Sequence, residues 1–418
     1  MFPPHYTSDT ADERSNFATP CGKVCMGLFL ASLILSCGTK NEPEVSAAPP
    51  SQAAQPLRAI WLLHDSSTST AEYESTLLDV EERGFNAVVF PLKSDDGSLA
   101  FDVDPTAPRE NSSASTPLQR FQQARQSSTL EVIYQYPIKW GRADFPPLPT
   151  PHSSNTETSI AQYSDLIPNS FAPDFWSQEF RKLETLRDKL LAEPTTKPPQ
   201  LLFSHLAFTD RFSALHNSIL QQFIAQANLP STVQLNDVLR FDSLGRKWIE
   251  GPYYPNWLNW RRAVVYQELQ ALLEFWGTQT TTNPISISLQ GEGIQPLALE
   301  KAFSLTPPRG ATAAALSANA IYLECFTPYV YGSDAIAAGI LPSVSLQEIL
   351  ASSRAQLAPG QQLVAVLSIP VFAGDDGLLS EQEKSSLQTA LSLAEQLANG
   401  WVLVDSDFVE SANIRINR

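Results

Sequence analysis

The stretch STAEYESTLLDVEERGFNAVVFP, Ser69 to Pro91, shows in one pass the unit from which the rest of the chain is built. Ser69 stands three residues before Glu72, the spacing of a capping box, and Tyr73, Leu77 and Val80 then recur at helical intervals. Gly84 supplies the stop. Phe85 to Phe90 follows as a nearly unbroken apolar run, as expected of a parallel strand covered on both faces, and Pro91 ends it.

The same grammar returns at the far end. Ser380 and Glu383 open a helix with Leu387, Leu391, Ala394 and Leu397 on one face, Asn399-Gly400 closes it, and Trp401 to Val404 reads as a strand. Between these two units lie further strand-like runs, so that Arg58–His64, Phe85–Phe90, Leu130–Tyr136, Gln200–His205, Ile285–Leu289, Ala320–Phe326, Gln362–Ile369 and Trp401–Val404 alternate with helical patterns. Leu258, Val265, Leu269, Leu272 and Trp276 mark one long covering helix whose tryptophans belong to the core. This alternation predicts the α/β class and a single (β/α)8 TIM-type barrel over 57–418. Two connections, Pro137 to Pro173 and Leu206 to Tyr254, are too long for plain turns, so long loops follow strands three and four, the second with a helix from Ser213 to Ala227. Both leave strand C-terminal ends, where barrels of this kind build their sites.

Ahead of the barrel, Met26 to Leu35 (MGLFLASLIL) is too short for a membrane span, which needs about twenty residues, and suits a signal-peptide core. It runs into Ser36-Cys37-Gly38, which resembles a bacterial lipobox despite the bulk of Leu35. Residues 1–37 are therefore expected to be a lipoprotein signal with Cys37 as the lipidated residue, and 38–56, rich in Pro, Ala and Ser, a flexible tether. Membrane attachment is then by the lipid anchor only. Cys21 and Cys25 leave with the signal, so Cys325 is the one thiol in the barrel; it reads as a small buried hydrophobe, and no disulfide framework is available. The five histidines have no metal-ligand spacing, so neither metal nor cofactor is expected. A net charge of −16 excludes nucleic acid as a main partner and tolerates a neutral or cationic ligand.

Polar and aromatic residues gathered just beyond the strands form a rim: Asp65; Asp95 and Asp96; Tyr136, Lys139 and Trp140; His205 and Asp210; Glu292; Tyr329 and Tyr331; Asp375 and Asp376; Asp405 and Asp407. Such a rim suits sugar, because rings offer flat apolar faces to pyranose C–H groups while carboxylates accept from hydroxyls. Asp95-Asp96-Gly97 and Asp375-Asp376-Gly377 also read as ordinary turns. Glu324 lies within a strand and can face the lumen, where a barrel-layer ion pair is the alternative to catalysis.

The ordered pieces resemble the C-terminal glycoside-hydrolase-like domain of the bacterial poly-β-1,6-N-acetylglucosamine deacetylases, over nearly all of Leu57 to the end. ERGFNAVVFPLKSDDG (Glu82 to Gly97) is similar to the second strand and acidic turn of that family, and IYQYPIKW (Ile133 to Trp140) to its third strand and loop. FSHLAFTD (Phe203 to Asp210), TPYVYG (Thr327 to Gly332) and VDSDFVE (Val404 to Glu410) fall in the same order as three later blocks. The family's catalytic aspartate position is occupied here by His205 or Leu206, and its partner glutamate by Tyr331, neither of them a carboxylic acid. What the resemblance implies is the barrel, a place in the bacterial cell envelope on the periplasmic face of the outer membrane, and affinity for an amino-sugar polysaccharide. Hydrolysis by the family's own route is not implied.

The expectation is thus a polysaccharide-binding barrel in which Asp96, Tyr136, Trp140, His205, Asp210, Tyr329 and Tyr331 contact the glycan. Hydrolysis would need a carboxyl pair drawn from Asp65, Glu292, Glu324 and Asp407. Two alternatives stand beside it: His205 as a general base near Asp210, for which there is no nucleophile motif, and a non-catalytic scaffold that contacts an envelope export partner.

Overall fold

The computed structural model describes residues 55–62, 67–94, 98–103, 115–139, 170–172, 174–192, 198–206, 214–242, 247–277, 285–292, 318–325, 346–368 and 381–404, all within one compact unit, Gln55–Arg418. Eight parallel strands close into a barrel: β1 (Leu57–Trp61), β2 (Ala87–Pro91), β3 (Glu131–Pro137), β4 (Gln200–Ser204), β7 (Ser286–Glu292), β8 (Ala320–Glu324), β9 (Gln362–Ser368) and β10 (Gly400–Val404). Each of the eight begins within two residues of its expected start. The covering helices are α1 (Thr70–Glu82), α2 (Pro117–Ala124), α3 (Phe175–Leu191), α6 (Tyr254–Gly277), α7 (Leu346–Arg354) and α8 (Glu381–Leu397).

Local chemistry sets the helix ends as the sequence implies. Ser69 Oγ accepts from Glu72 N at 3.2 Å and Glu72 Oε2 accepts from Ser69 N at 2.6 Å, which completes the capping box of α1. Gly84 then takes φ +94, the left-handed stop. The second long connection departs from expectation. Its helix α4 runs Asn217–Gln226, shorter than 213–227, because His216 adopts an extended backbone and caps it, Nδ1 accepting from Ser218 N at 3.2 Å. The same connection adds a short helix α5 (Leu235–Val238) and an antiparallel hairpin, β5 (Leu239–Asp242) with β6 (Lys247–Glu250), that periodicity alone did not reveal.

Alternation along each strand divides the interior in two. The larger layer lies between strands and helices and includes Phe90, Tyr134, Phe203, Trp257, Trp276 and Trp401; the smaller fills the lumen with Ala59, Ala87, Val89, Ile133, Leu202, Ala320, Tyr322, Val364, Val366 and Val402. The tryptophans of α6 are core, as expected. A full circuit of the strand registers returns to β1 displaced by eight residues, the shear of this barrel class. That shear stacks the inward side chains in layers of four from alternate strands. Ala59, Ile133, Ser288 and Val364 form a middle layer; Val89, Leu202, Tyr322 and Val402 lie above it, then Trp61, Gln135, Gln290 and Val366, then Pro91, Ser204, Glu324 and Val404.

The seam between β1 and β10 depends on a missing side chain. Gly400 has φ +142, and a Cβ there would run into the backbone N and O of Leu57. Gly360 also has positive φ (+88), but open space surrounds it. Gly400→Ala is therefore expected to cost about 3 kcal/mol or more, from backbone strain plus displacement of the seam, against about 1 kcal/mol for Gly360→Ala, as read by urea unfolding midpoints.

Candidate functional site

Above the Tyr322 layer the lumen becomes two-sided. On the side of β1, β9 and β10 the lining is Trp61, Val366 and Val404, with Trp61 half-buried against the lumen cluster. On the side of β3, β4, β7 and β8 it is Gln135, Ser204, Gln290 and Glu324. Two diagonal hydrogen bonds order this polar half: Gln135 Nε2 donates to Ser204 Oγ, and Gln290 Nε2 donates to Glu324 Oε1. A third of the same kind, Gln200 Nε2 to Glu131 Oε1, lies lower in the lumen. Each links an inward residue to the inward residue of the next strand one layer away, the contact that an eight-residue shear creates.

One acceptor in this wall has no protein partner among the described residues. Gln290, 8 % exposed, leaves its Oε1 unpaired; Ser288 Oγ, also unpaired, lies three layers below Glu324, beneath Tyr322. Buried polar atoms are normally satisfied, so unpaired ones aimed into a lumen fit a polar ligand or water. Tyr322 closes the floor; burial pushes its phenol above its ordinary value, and the Glu131 carboxylate adds to the rise.

At the rim of β4, Ser204 Oγ lies 3.0 Å from His205 Nδ1, and Lys139 N donates to His205 O at 3.0 Å. His205 is exposed and takes φ +51, a left-handed conformation uncommon for a residue with a side chain. Glu292, the last residue of β7, is in register with Glu324, the last of β8. The two glutamates named as candidates from sequence therefore end neighbouring strands on the inward register.

Tyr136 is placed differently from the sequence expectation. Alternation puts its ring in the outer layer, fully buried, where its hydroxyl donates to Glu179 Oε2 of α3 at 2.8 Å and Lys93 Nζ stands 6.0 Å from the ring centre. It ties strand to helix and does not line the mouth; the residues flanking it on the inward side, Gln135 and Pro137, do. Burial, followed by the adjacent Glu179 charge, holds the phenol well above its ordinary value of 10.0. Lys139 is also turned outward, in a buried pair with Glu268 of α6 at 2.5 Å. Burial raises the Glu268 pKa and Lys139 offsets part of that rise. Cys325 is buried and its thiol pushed up by desolvation, consistent with a packing role.

Asp65, Asp96, Trp140, Asp210, Tyr329, Tyr331 and Asp407, with Cys37, lie outside the described residues. Sequence reasoning missed Trp61, Gln135, Ser204 and Gln290. Their signal was a polar or aromatic residue on the inward parity of an otherwise apolar strand. Among the described residues, no cluster of three or more His, Cys, Asp or Glu is arranged to hold a metal ion.

No protein-family model matches this sequence, and no curated protein matches it significantly. Among solved structures it is similar to the catalytic domain of β-amylase from Paenibacillus polymyxa (11 % identity, 83 % of this chain and 91 % of that one, TM-score 0.48). It is also similar to the endo-1,4-β-mannanase of Rhizomucor miehei (10 %, 86 % and 93 %, TM-score 0.43). These two are glycoside hydrolases. An aldolase matches as well (9 %, 83 % and 88 %, TM-score 0.28). The barrel itself rests on the strand pairing described above.

The position of Tyr136 has a direct test. Tyr136→Phe is expected to cost about 1.5–3 kcal/mol of stability through the lost bond to charged Glu179, while leaving glycan binding unchanged, as measured by denaturation and by titration. Because the folded-state phenol pKa is raised, the wild type loses stability as pH rises above 10.0, and the variant lacks that component.

Proposed function

We propose that the mouth of this barrel binds carbohydrate, and that the ligand is an amino-sugar polysaccharide such as poly-N-acetylglucosamine. The observation that carries the reading is the two-sided wall, with Trp61, Val366 and Val404 facing Gln135, Ser204, Gln290 and Glu324. A pyranose is two-sided in the same way, since its C–H face packs on an aromatic ring while its hydroxyls need donors and acceptors in the ring plane. The unpaired Gln290 Oε1 is an acceptor suited to a hydroxyl or amide hydrogen. Charge supports the amino sugar: the described wall of the mouth carries the carboxylate of Glu324 and no lysine or arginine, which favours a ligand bearing a protonated amine over an anionic one.

A second reading is favoured by the register of Glu292 with Glu324. Retaining glycosidases use two carboxyl groups about 5–5.5 Å apart, and neighbouring strand ends are where such a pair could be carried. In this reading one glutamate is the acid and base and the other the nucleophile.

In the cell, the sequence supports an envelope lipoprotein held by Cys37 on the periplasmic face of the outer membrane, with 38–56 as its tether. Cys37→Ala is expected to move the protein from the membrane to the soluble fraction.

Trp61→Ala is expected to weaken glycan binding about tenfold, the loss of one good stacking contact, and 0.5 M salt to weaken binding of a de-N-acetylated oligomer but not an N-acetylated one. Wild-type affinity in Trp61→Ala would overturn the mouth as the site. Under the second reading, Glu324→Gln lowers product release from a bound oligomer by about 10²–10⁴-fold.

A further inference from the structure

A separate cleft of about 290 Å³ opens between α4 and the first turns of α6. Of its seven lining residues, three carry carboxamides, Gln226, Asn256 and Asn259, and none carries a charge. Pro255 and Trp260 supply apolar surface beside them. The cleft lies outside the lumen and shares no residue with the mouth.

Its aromatic edge is rigid. Trp260 is 5 % exposed, stacks on Phe171 at 5.7 Å and 13°, and lies 4.9 Å from Trp257, so the ring has no freedom to turn. Its Nε1 donates to Gln226 Oε1 at 2.7 Å. That bond orients the Gln226 amide and leaves Nε2 to donate. The cleft therefore presents a fixed amide and two further carboxamides beside an apolar wall.

The chemistry narrows the ligand. A carboxamide offers a donor and an acceptor in one plane, which matches a pair of neighbouring hydroxyls or an acetamido group. A wall without charge gives no advantage to a phosphate, a carboxylate or an ammonium. The volume lies at the lower end of ligand pockets, about 300 Å³, and suits a sugar unit better than a nucleotide cofactor. Topology adds the location. α6 follows the connection that leaves the C-terminal end of β4 and runs back toward the start of β7, so its first turns belong to the mouth end of the barrel.

We propose that this cleft is a second saccharide site, for an uncharged sugar unit, on the same end of the barrel as the mouth. The idea rests on the reading of the mouth as a glycan site only in the choice of polymer. A chain bound at two places on one end of a barrel gains effective concentration for the second contact, so a weak outer site strengthens retention of a long polymer more than of a short one.

The test is calorimetric titration of the full-length, detergent-solubilised protein with di-N-acetylglucosamine, a ligand too short to bridge distant sites. Wild type is expected to bind two equivalents per chain. Gln226→Ala with Asn256→Ala, both exposed positions, should reduce this to one without changing the affinity of the remaining event, and Trp61→Ala should leave the cleft event intact. A double variant that titrates like wild type overturns the second site, as does complete loss of binding in Trp61→Ala. If Trp61→Ala changes nothing while the double variant loses all binding, the cleft stands and the mouth reading fails. No binding to wild type overturns both.

Discussion

Closure between β1 and β10 is the constraint from which the rest of the structure follows. The two strands meet where Gly400 has no side chain, so that the Leu57 backbone can come close enough to pair. Outside the seam, Glu395 of α8 accepts from Arg58 Nε at 2.7 Å and from Trp401 Nε1 at 3.2 Å, joining one residue from each strand to the same carboxylate. Once the seam closes, the eight-residue shear is set, and shear decides which inward side chains share a layer. The diagonal amide bonds from Gln135, Gln200 and Gln290 exist only in that register.

Polar groups are distributed by layer. In the outer layer two pairs bind strands to helices: Tyr136 with Glu179, and Lys139 with Glu268. Burial makes each such group costly unless its partner is present, so these pairs hold geometry and are closed to solvent and ligand. In the upper lumen the amides order their neighbours but leave an acceptor over, at Gln290 Oε1.

Much of the fold was legible because its signals are local. Ser69 with Glu72, Gly84, and the apolar run from Phe85 to Phe90 each act within a few residues, and the structure reproduces them. The hairpin β5–β6 was not, since Leu239 to Glu250 has neither a long apolar run nor a clean alternation. The site was less legible. Collecting residues beyond strand ends took in His205 and Glu292, and Glu324 was picked out within its own strand, but the same collection also took in Tyr136, whose inward or outward direction depends on the parity of β3. One residue along, Gln135 has the opposite fate.

The sequence by itself determined the alternation of strand and helix, the caps, and the reading of Cys325 and the α6 tryptophans as core, because these depend on periodicity and on side-chain type. Only the tertiary structure decided that Trp61 faces Gln290 across a mouth, that the backbone of Glu292 is in register with that of Glu324, and that Tyr136 is a strut. Those facts depend on strand register and shear, which join residues far apart in the chain and are set by closure of the whole barrel.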